Sequence, residues 1–116
     1  MTESALKEFK IYLRPGPTDM RKAINGLAAI VQDEIRLNPY ERSLFVFSNR
    51  RGDLIKILYW DFNGFCLWHK RLEKHRFFWP QTPEAVMSIT LTELRLLLLG
   101  VDFRNVHETL DFAKAG

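Results

Sequence analysis

Positively charged side chains are concentrated between Arg50 and Arg76. This segment holds seven lysines and arginines against three acids, whereas the whole chain of 116 residues has a net charge of +3. The rest of the chain is therefore slightly negative. Aromatic residues lie between these cations, and a localised basic surface that carries aromatic rings is suited to binding a polyanion such as nucleic acid.

Ten residues in or near this segment are candidates for contacts with phosphate, because each is a cation or a histidine. They are Arg21, Lys22, Arg50, Arg51, Lys56, His69, Lys70, Arg71, Lys74 and Arg76. Two interpretations of the basic segment stay open. Its long side chains could bind phosphate, or they could extend into solvent, where salt screens their mutual repulsion.

Two of these candidates, Arg21 and Lys22, fall in the first turn of a predicted helix. Free backbone N–H groups together with two cations would suit a phosphate there. Cations at this end of a helix oppose its dipole, however, and Asp19 places an acid at the same site. The alternative is a contact between Asp19 and Arg21 that fixes the loop.

No group of residues indicates catalysis, a metal site or a cofactor. The chain has three histidines, His69, His75 and His107. None has a partner four residues away or a pair of cysteines, so we do not expect zinc. Cys66 is in the middle of a predicted strand, which is typical of a small core residue rather than a nucleophile. The acids nearest the basic segment, which could be imagined around magnesium, are Asp53, Asp61 and Glu73. Aspartates beside turns are common for local hydrogen bonding, so we expect no enzyme.

The length and composition predict one domain over residues 1–116, with an ordered core over about residues 9–103. Apolar residues make up 47% and charged residues 27% of the chain, which is usual for a soluble protein. Apolar runs such as Leu96 to Leu99 are too short to cross a bilayer, and the first ten residues do not resemble a secretory signal. One cysteine fits a reducing compartment. We therefore expect a cytoplasmic protein outside the membrane.

Apolar alternation and turn residues predict five strands. The predicted strands cover residues 9–13, 44–47, 54–61, 65–72 and 76–79. Pro15-Gly16-Pro17 should end the first strand, since proline has no N–H for a sheet ladder. Residues 49–53 are predicted to form a turn.

A helix is predicted from Thr18, as N-cap, to about Arg36. Its apolar residues recur at helical spacing, at Met20, Ile24, Leu27, Val31 and Ile35. Gly26 within it suggests that another group packs closely there. Together these elements predict an α+β fold: a mainly antiparallel sheet of four or five strands, one long helix packed on one face, and a short C-terminal helix.

The dipeptide Asn63-Gly64 is typical of a two-residue hairpin turn. As the turn, it would place Lys56 opposite Arg71 and Leu58 opposite His69. Since side chains alternate between faces, we expect Ile55 to be on the core side and the cations to be displayed outward. Two like charges directly opposite each other are unfavourable unless an anion lies between them.

The C-terminal helix is predicted over residues 90–99. Thr90 and Glu93 have the spacing of a capping box, and Gly100 is a typical stop. Leu96 and Leu99 extend beyond the apolar stripe, which makes them candidates for binding a partner. Beyond about Arg104 the tail is polar, and we expect it to fray.

Three ordered segments resemble a known family: PGPTDMRKAINGLAAIV (Pro15 to Val31), LFVFSNRRGDLIKILYWD (Leu44 to Asp61) and GFCLWHKRLEKHRFFWP (Gly64 to Pro80). They resemble the small accessory protein encoded by the second open reading frame of insertion-sequence 66 elements. That protein is often called TnpB and is unrelated to the RNA-guided nuclease of the same name. The resemblance covers residues from about Phe9 to Phe103. The residues that match its motifs are Asp19, Met20, Arg21, Lys22, Arg50, Arg51, Lys56, Trp60, Asp61, Lys70, Arg71, Arg76 and Trp79.

This resemblance implies a non-catalytic part in bacterial DNA transposition, beside a separate transposase and another accessory protein. Two hypotheses follow. In the first, the basic hairpin contacts the DNA backbone, at transposon ends and with weak sequence specificity. In the second, the protein is an adaptor that joins the transposase to the other accessory protein through Leu96 and Leu99, without touching DNA. A homo-oligomer is compatible with either.

Overall fold

The computed structural model describes residues 8–82 and 86–104. Five strands form one sheet in the order β4-β3-β2-β1-β5. Along the chain the elements are β1 (Lys10–Leu13), α1 (Ile24–Ala29), a π-helical segment (Ile30–Ile35), β2 (Ser43–Ser48), β3 (Leu54–Asp61), β4 (Gly64–Arg71), β5 (Met87–Ile89) and α2 (Leu91–Leu98). The fold is α+β, as predicted.

The sheet is mixed rather than purely antiparallel. β1 and β2 pair in parallel, with Lys10 opposite Ser43, while the other three neighbouring pairs are antiparallel. Parallel neighbours cannot be joined by a tight turn and need a crossover. α1 and the π-helical segment supply that crossover between β1 and β2.

Both faces of β2, in the middle of the sheet, are buried, whereas only the Ile55 face was predicted to be the core side. All six residues of β2 are buried, because its two faces belong to different clusters. The helix-side cluster contains Leu27, Ile30, Val31, Phe45, Phe47 and Leu58. The second cluster contains Ile11, Leu13, Leu44, Val46, Ile55, Ile57, Phe77, Trp79, Ile89, Leu94, Leu97 and Phe103.

The first helix begins at Ile24, so the prediction of a long helix capped by Thr18 is wrong. The Thr18 N–H donates to the Ser48 carbonyl at 2.8 Å, which ties this residue to the end of β2. Ala23 is the N-cap and has no side-chain hydrogen bond. Residues 18–22 are therefore held against the sheet instead of adding a turn to the helix. The π-helical segment ends at its C-cap, Arg36, whose φ is 62°. This agrees with the predicted end of the helix at about Arg36.

The segment Arg76 to Trp79 is not a strand. The Phe77 N–H donates to the Gly52 carbonyl at 2.7 Å, and the Trp79 indole N–H donates to the Gly16 carbonyl at 2.9 Å. These bonds join the segment to two different loops, so no ladder forms. The fifth strand is instead Met87–Ile89, which was not predicted as a strand, and it pairs with β1.

The β3–β4 hairpin is shifted by two residues from the predicted register. Lys56 lies opposite His69, Trp60 lies opposite Phe65, and the loop is Phe62-Asn63. This register puts the Trp60 and Phe65 rings 5.0 Å apart, a favourable cross-strand pair. A shift of two preserves the alternation of faces. The predicted Lys56–Arg71 pair is therefore wrong, while the division of side chains between the faces holds.

The C-terminal helix α2 agrees with its prediction. The Glu93 N–H donates to Thr90 Oγ1 at 3.1 Å, and Glu93 Oε1 accepts from the Thr90 N–H at 3.0 Å. Gly100 has φ of 81°, and the N–H groups of Gly100 and Val101 donate to the carbonyls of Leu97 and Leu96. This is a Schellman motif, which satisfies the last carbonyls of a helix.

Candidate nucleic-acid interface

Most of the sequence-predicted cations gather at one end of the sheet. Ser48 pairs with Ile55 and Leu54 pairs with Arg71, so the turn at residues 49–53 and the chain after β4 lie at the same end. We call this region the basic end. Its exposed cations are Arg21, Lys22, Arg50, Arg51, Arg71, Lys74 and Arg76.

The turn that carries Arg50 and Arg51 is held by one side chain. Asn49 Oδ1 accepts from the N–H groups of Gly52, Asp53 and Leu54 at 3.0, 3.1 and 3.2 Å. Gly52 has φ of 74°, a conformation that glycine adopts without steric cost. The backbone that supports these two arginines is therefore fixed.

The chain after β4 folds against this turn. The Leu72 N–H donates to the Asp53 carbonyl at 2.8 Å, and the Phe77 N–H donates to the Gly52 carbonyl at 2.7 Å. The side chain of Phe77 is buried in the second cluster. These anchors leave Lys74 and Arg76 exposed beside the arginines of the turn, with His75 between them.

The loop before α1 brings Arg21 and Lys22 to the same end. Thr18 is bonded to Ser48 at the end of β2, and Lys56 Nζ donates to the carbonyls of Met20 and Lys22 at 2.8 and 3.0 Å. The stem of Lys22 packs on Gly26, where an added Cβ would lie 3.0 Å from Lys22 Cβ. This contact confirms the close packing that Gly26 predicts.

Two candidates, Lys56 and Lys70, form hydrogen bonds within the fold instead of being displayed on the surface. They point to opposite faces of the sheet, and Lys70 Nζ donates to the Leu98 carbonyl at 2.9 Å, at the end of α2. A cation there satisfies a carbonyl left unpaired by the helix and complements its dipole. The expectation that the strand cations are displayed together on one outer face is therefore wrong for these two, because both faces are covered.

His69 is exposed on the edge strand β4, opposite Lys56. Its neighbour on the same strand face, Arg71, is exposed as well. The edge of β4 therefore continues the basic end along the hairpin, but only over its last few residues.

Asp19 and Arg21 form the contact that the sequence offered as the alternative to phosphate binding. Arg21 Nε and Nη2 lie 3.0 and 2.8 Å from Asp19 Oδ1 and Oδ2. The Arg21 guanidinium lowers the pKa of Asp19 to about 2. The loop is thus fixed by a two-pronged ion pair, and the charge of Arg21 is partly compensated.

Asp53, a second acid of this region besides Glu73, is also held ionised. A hydrogen bond from Asn49 lowers its pKa, with smaller contributions from Arg51 and Arg71. Arg51 Nε is 3.8 Å from Asp53 Oδ2. By contrast, none of the remaining cations of the basic end forms an ion pair with an acid of residues 8–82 or 86–104: Lys22, Arg50, Arg71, Lys74 and Arg76. The region therefore has a surplus of positive charge.

The two candidates for partner binding differ. Leu96 is half-buried against the second cluster, whereas Leu99 is 72% exposed and Val101, two residues later, is also exposed. Of these two candidates, Leu99 is therefore the one whose apolar side chain is mostly exposed.

Asp53 and Asp61, two of the acids considered for a magnesium site, do not come together. Asp53 and Asp61 stand at opposite ends of β3, roughly 25 Å apart at about 3.3 Å per residue. No three His, Cys, Asp or Glu side chains of the described segments are grouped as a metal ion would require. Cys66 lies opposite Tyr59, and burial, with a smaller effect of Cys66, raises the pKa of that tyrosine. His107 and the predicted tail beyond Arg104 are outside the described residues.

No helix in the described part of the chain is long and apolar enough to cross a membrane. The cytoplasmic location stays a prediction.

Comparison with known proteins identifies the family. Residues 9–108 match the family described as IS66 Orf2 like protein. The chain belongs to that family. It is 39% identical over 107 residues to the uncharacterized protein y4hO of Sinorhizobium fredii, covering 92% of this chain and 93% of the relative. It is 33% identical over 97 residues to the uncharacterized protein y4jC of the same organism, covering 84% and 83%. No solved structure matches it.

The family match confirms the resemblance read from the three motifs. Membership of the IS66 Orf2-like family suggests an accessory role in transposition, and the family is not known as catalytic. The basic end contains residues from all three motifs, because Arg21, Arg50 and Arg71 come from different ones. The motifs are separated in the chain and meet at one end of the sheet.

Proposed function

We propose that this IS66 Orf2-like protein is a non-catalytic accessory factor that contacts the DNA backbone through its basic end. The proposal rests on one observation, that cations from separate parts of the chain come together. Cations from the loop before α1, from the turn before β3 and from the chain after β4 meet at one end of the sheet. A folded surface of this kind can follow neighbouring phosphates without first ordering a flexible tail.

The chemistry of this region suits phosphate. Several of its cations are exposed and have no described acid as a partner, so binding them to phosphate breaks no internal ion pair. Each contact with duplex DNA would release condensed counterions, which supplies affinity that does not depend on sequence.

The contacts are expected to read the backbone rather than the bases. α1 has only six residues, and α2 buries Leu94 and Leu97 against the sheet. Neither helix is therefore suited to lie in a major groove, where base edges are read by an exposed helix face or ribbon. We accordingly expect weak sequence specificity, with transposon ends as the DNA in question.

The test is a pair of double variants that change the net charge equally. Arg50→Gln/Arg76→Gln removes two charges from the basic end, whereas Lys10→Gln/Arg36→Gln removes two exposed charges elsewhere. Binding to a labelled duplex is measured at several salt concentrations. We expect the first variant to weaken binding and to reduce the slope of log K against log salt by about 2, since each lost contact removes about 0.9.

The control variant should keep both the affinity and the slope of the wild type. Equal losses in the two variants would show that only net charge matters, and no binding by the wild type at low salt would defeat the proposal. Lys56 and Lys70 are unsuitable for this test, because replacing them would remove hydrogen bonds within the fold.

A second candidate function, the adaptor, is favoured by the exposure of Leu99. In that role Leu99 would insert into the transposase or the other accessory protein. We expect Leu99→Asp to abolish co-purification with the transposase of the same element while leaving DNA binding intact. Co-purification that survives Leu99→Asp would reject this surface.

A further inference from the structure

A groove opens at the end of the sheet opposite to the basic end. It lies between the start of β1, the loop before β2 and the β3–β4 turn, and has a volume of about 430 Å³. Its lining includes Glu8, Tyr40, Arg42, Trp60, Asp61 and Phe62. This volume is within the usual range for small-ligand sites, roughly 300–1,000 Å³.

Aromatic rings in fixed positions form much of this groove. The Tyr40 and Trp60 rings are 5.1 Å apart at 71°, and Phe65 packs against both, at 5.2 Å from Tyr40 and 5.0 Å from Trp60. Trp60 packs edge-to-face with both other rings, which holds the three rings in their orientations. Tyr40 is nevertheless 57% exposed, so part of its ring is accessible from the groove.

Phe62, at the rim of the groove, has an exposure and a backbone conformation that are both unfavourable for a phenylalanine. It is 92% exposed, and its φ of 52° lies in the left-handed region that a bulky side chain rarely adopts. A positive φ is usual in a two-residue hairpin loop, so the turn accounts for this backbone conformation. The exposed phenyl ring at the rim of the groove is accessible to a ligand.

The charges of the groove favour a cation as that ligand. The Arg42 guanidinium donates to the Glu8 carboxylate, so these two charges compensate each other. Asp61 is exposed and forms no ion pair with a cation of the described segments. Asp61, which also lines the groove, therefore gives it a negative charge, and aromatic rings attract cations through their quadrupole. Phosphate would be repelled at this end.

We propose that this groove binds an arginine side chain presented by a basic segment of a partner protein. A guanidinium is planar and weakly hydrated, so it can pack on the rings of Trp60 or Tyr40 while the negative charge of Asp61 attracts it. A lysine ammonium would gain less from the flat rings. The proposal does not depend on DNA binding by the basic end, because the two sites share no residue.

The test uses the full chain, labelled with nitrogen-15, and the peptide N-acetyl-Gly-Arg-Gly-amide. The indole N–H resonance of Trp60 is followed during titration and is assigned with the Trp60→Phe variant. We expect a saturable shift of this resonance. The same peptide with citrulline, which is neutral and of the same shape, should bind about two- to fivefold more weakly. The indole of Trp79, which is buried and bonded to Gly16, should not move.

Two matched variants test whether the charge of Asp61 contributes to binding of the arginine peptide. Asp61→Asn should weaken binding of the arginine peptide about two- to fivefold, whereas Asp33→Asn, an exposed acid in the π-helical segment, should not change it. Equal binding of the arginine and citrulline peptides, equal losses in the two variants, or no shift of Trp60 would each overturn the proposal. Self-association of the protein that Asp61→Asn abolishes would also overturn it, since the occupant would then be a second copy.

Discussion

Residues of one type have different roles in this protein, according to the face and the end of the sheet at which they lie. Lys56 and Lys70 satisfy backbone carbonyls of other elements. Arg50 and Arg76 are exposed on fixed backbone. The sequence could not separate these roles, because the carbonyls that accept from the two lysines belong to distant parts of the chain.

At the same scale, the Asp19–Arg21 pair makes a prediction about pH. Because the folded pKa of Asp19 is lowered to about 2, the pair contributes to stability above the ordinary pKa of an aspartate. That contribution is lost as the pH falls towards the folded value. We expect Arg21→Gln to raise the titration midpoint of Asp19 towards the ordinary range, as followed by carboxyl carbon NMR. Arg51→Gln should not move it. An unchanged midpoint in Arg21→Gln would contradict the assigned cause.

At the scale of elements, local signals with a mechanism were reliable. The Thr90–Glu93 capping box, the stop at Gly100 and the Asn49–Asp53 turn all follow from side chains that bond their own backbone or from glycine's freedom. The predictions failed where contacts with distant parts of the chain determine the local structure. Thr18 has the composition of an N-cap, but the end of β2 takes its N–H. The hairpin register depends on the contacts of Trp60 with Phe65 and Tyr40.

The turn at Gly52 provides a test of stability at this scale. Gly52→Ala should lower the free energy of unfolding by about 1–2 kcal/mol, because a Cβ disfavours the left-handed backbone. Gly64→Ala is the matched control, since Gly64 has ordinary φ and no atom within 4 Å of an added Cβ. It should change stability little. The stability of both variants is measured by denaturant unfolding. Equal changes in their free energies of unfolding would mean that a side chain at residue 52 does not strain the turn.

On the scale of the whole molecule, the two ends of the sheet differ in character. One end gathers exposed cations, and the other holds aromatic rings with Asp61. The sequence predicted the α+β class, four of the strands and most members of the basic end, because strong alternation and local charge are visible in it. It could not predict the aromatic groove, since Glu8, Tyr40 and Asp61 come together only through the strand order. The extent of the domain over residues 1–116 stays a prediction.

The most direct test of the central claim is a map of the amide NMR shifts that a short DNA duplex causes at low salt. If the basic end contacts DNA, the largest shifts will occur at residues 20–22, 49–53 and 71–76, and residues 60–64 at the other end will not respond. Shifts centred on Leu99 and Val101, shifts centred on the groove, or no shifts at all would contradict the account.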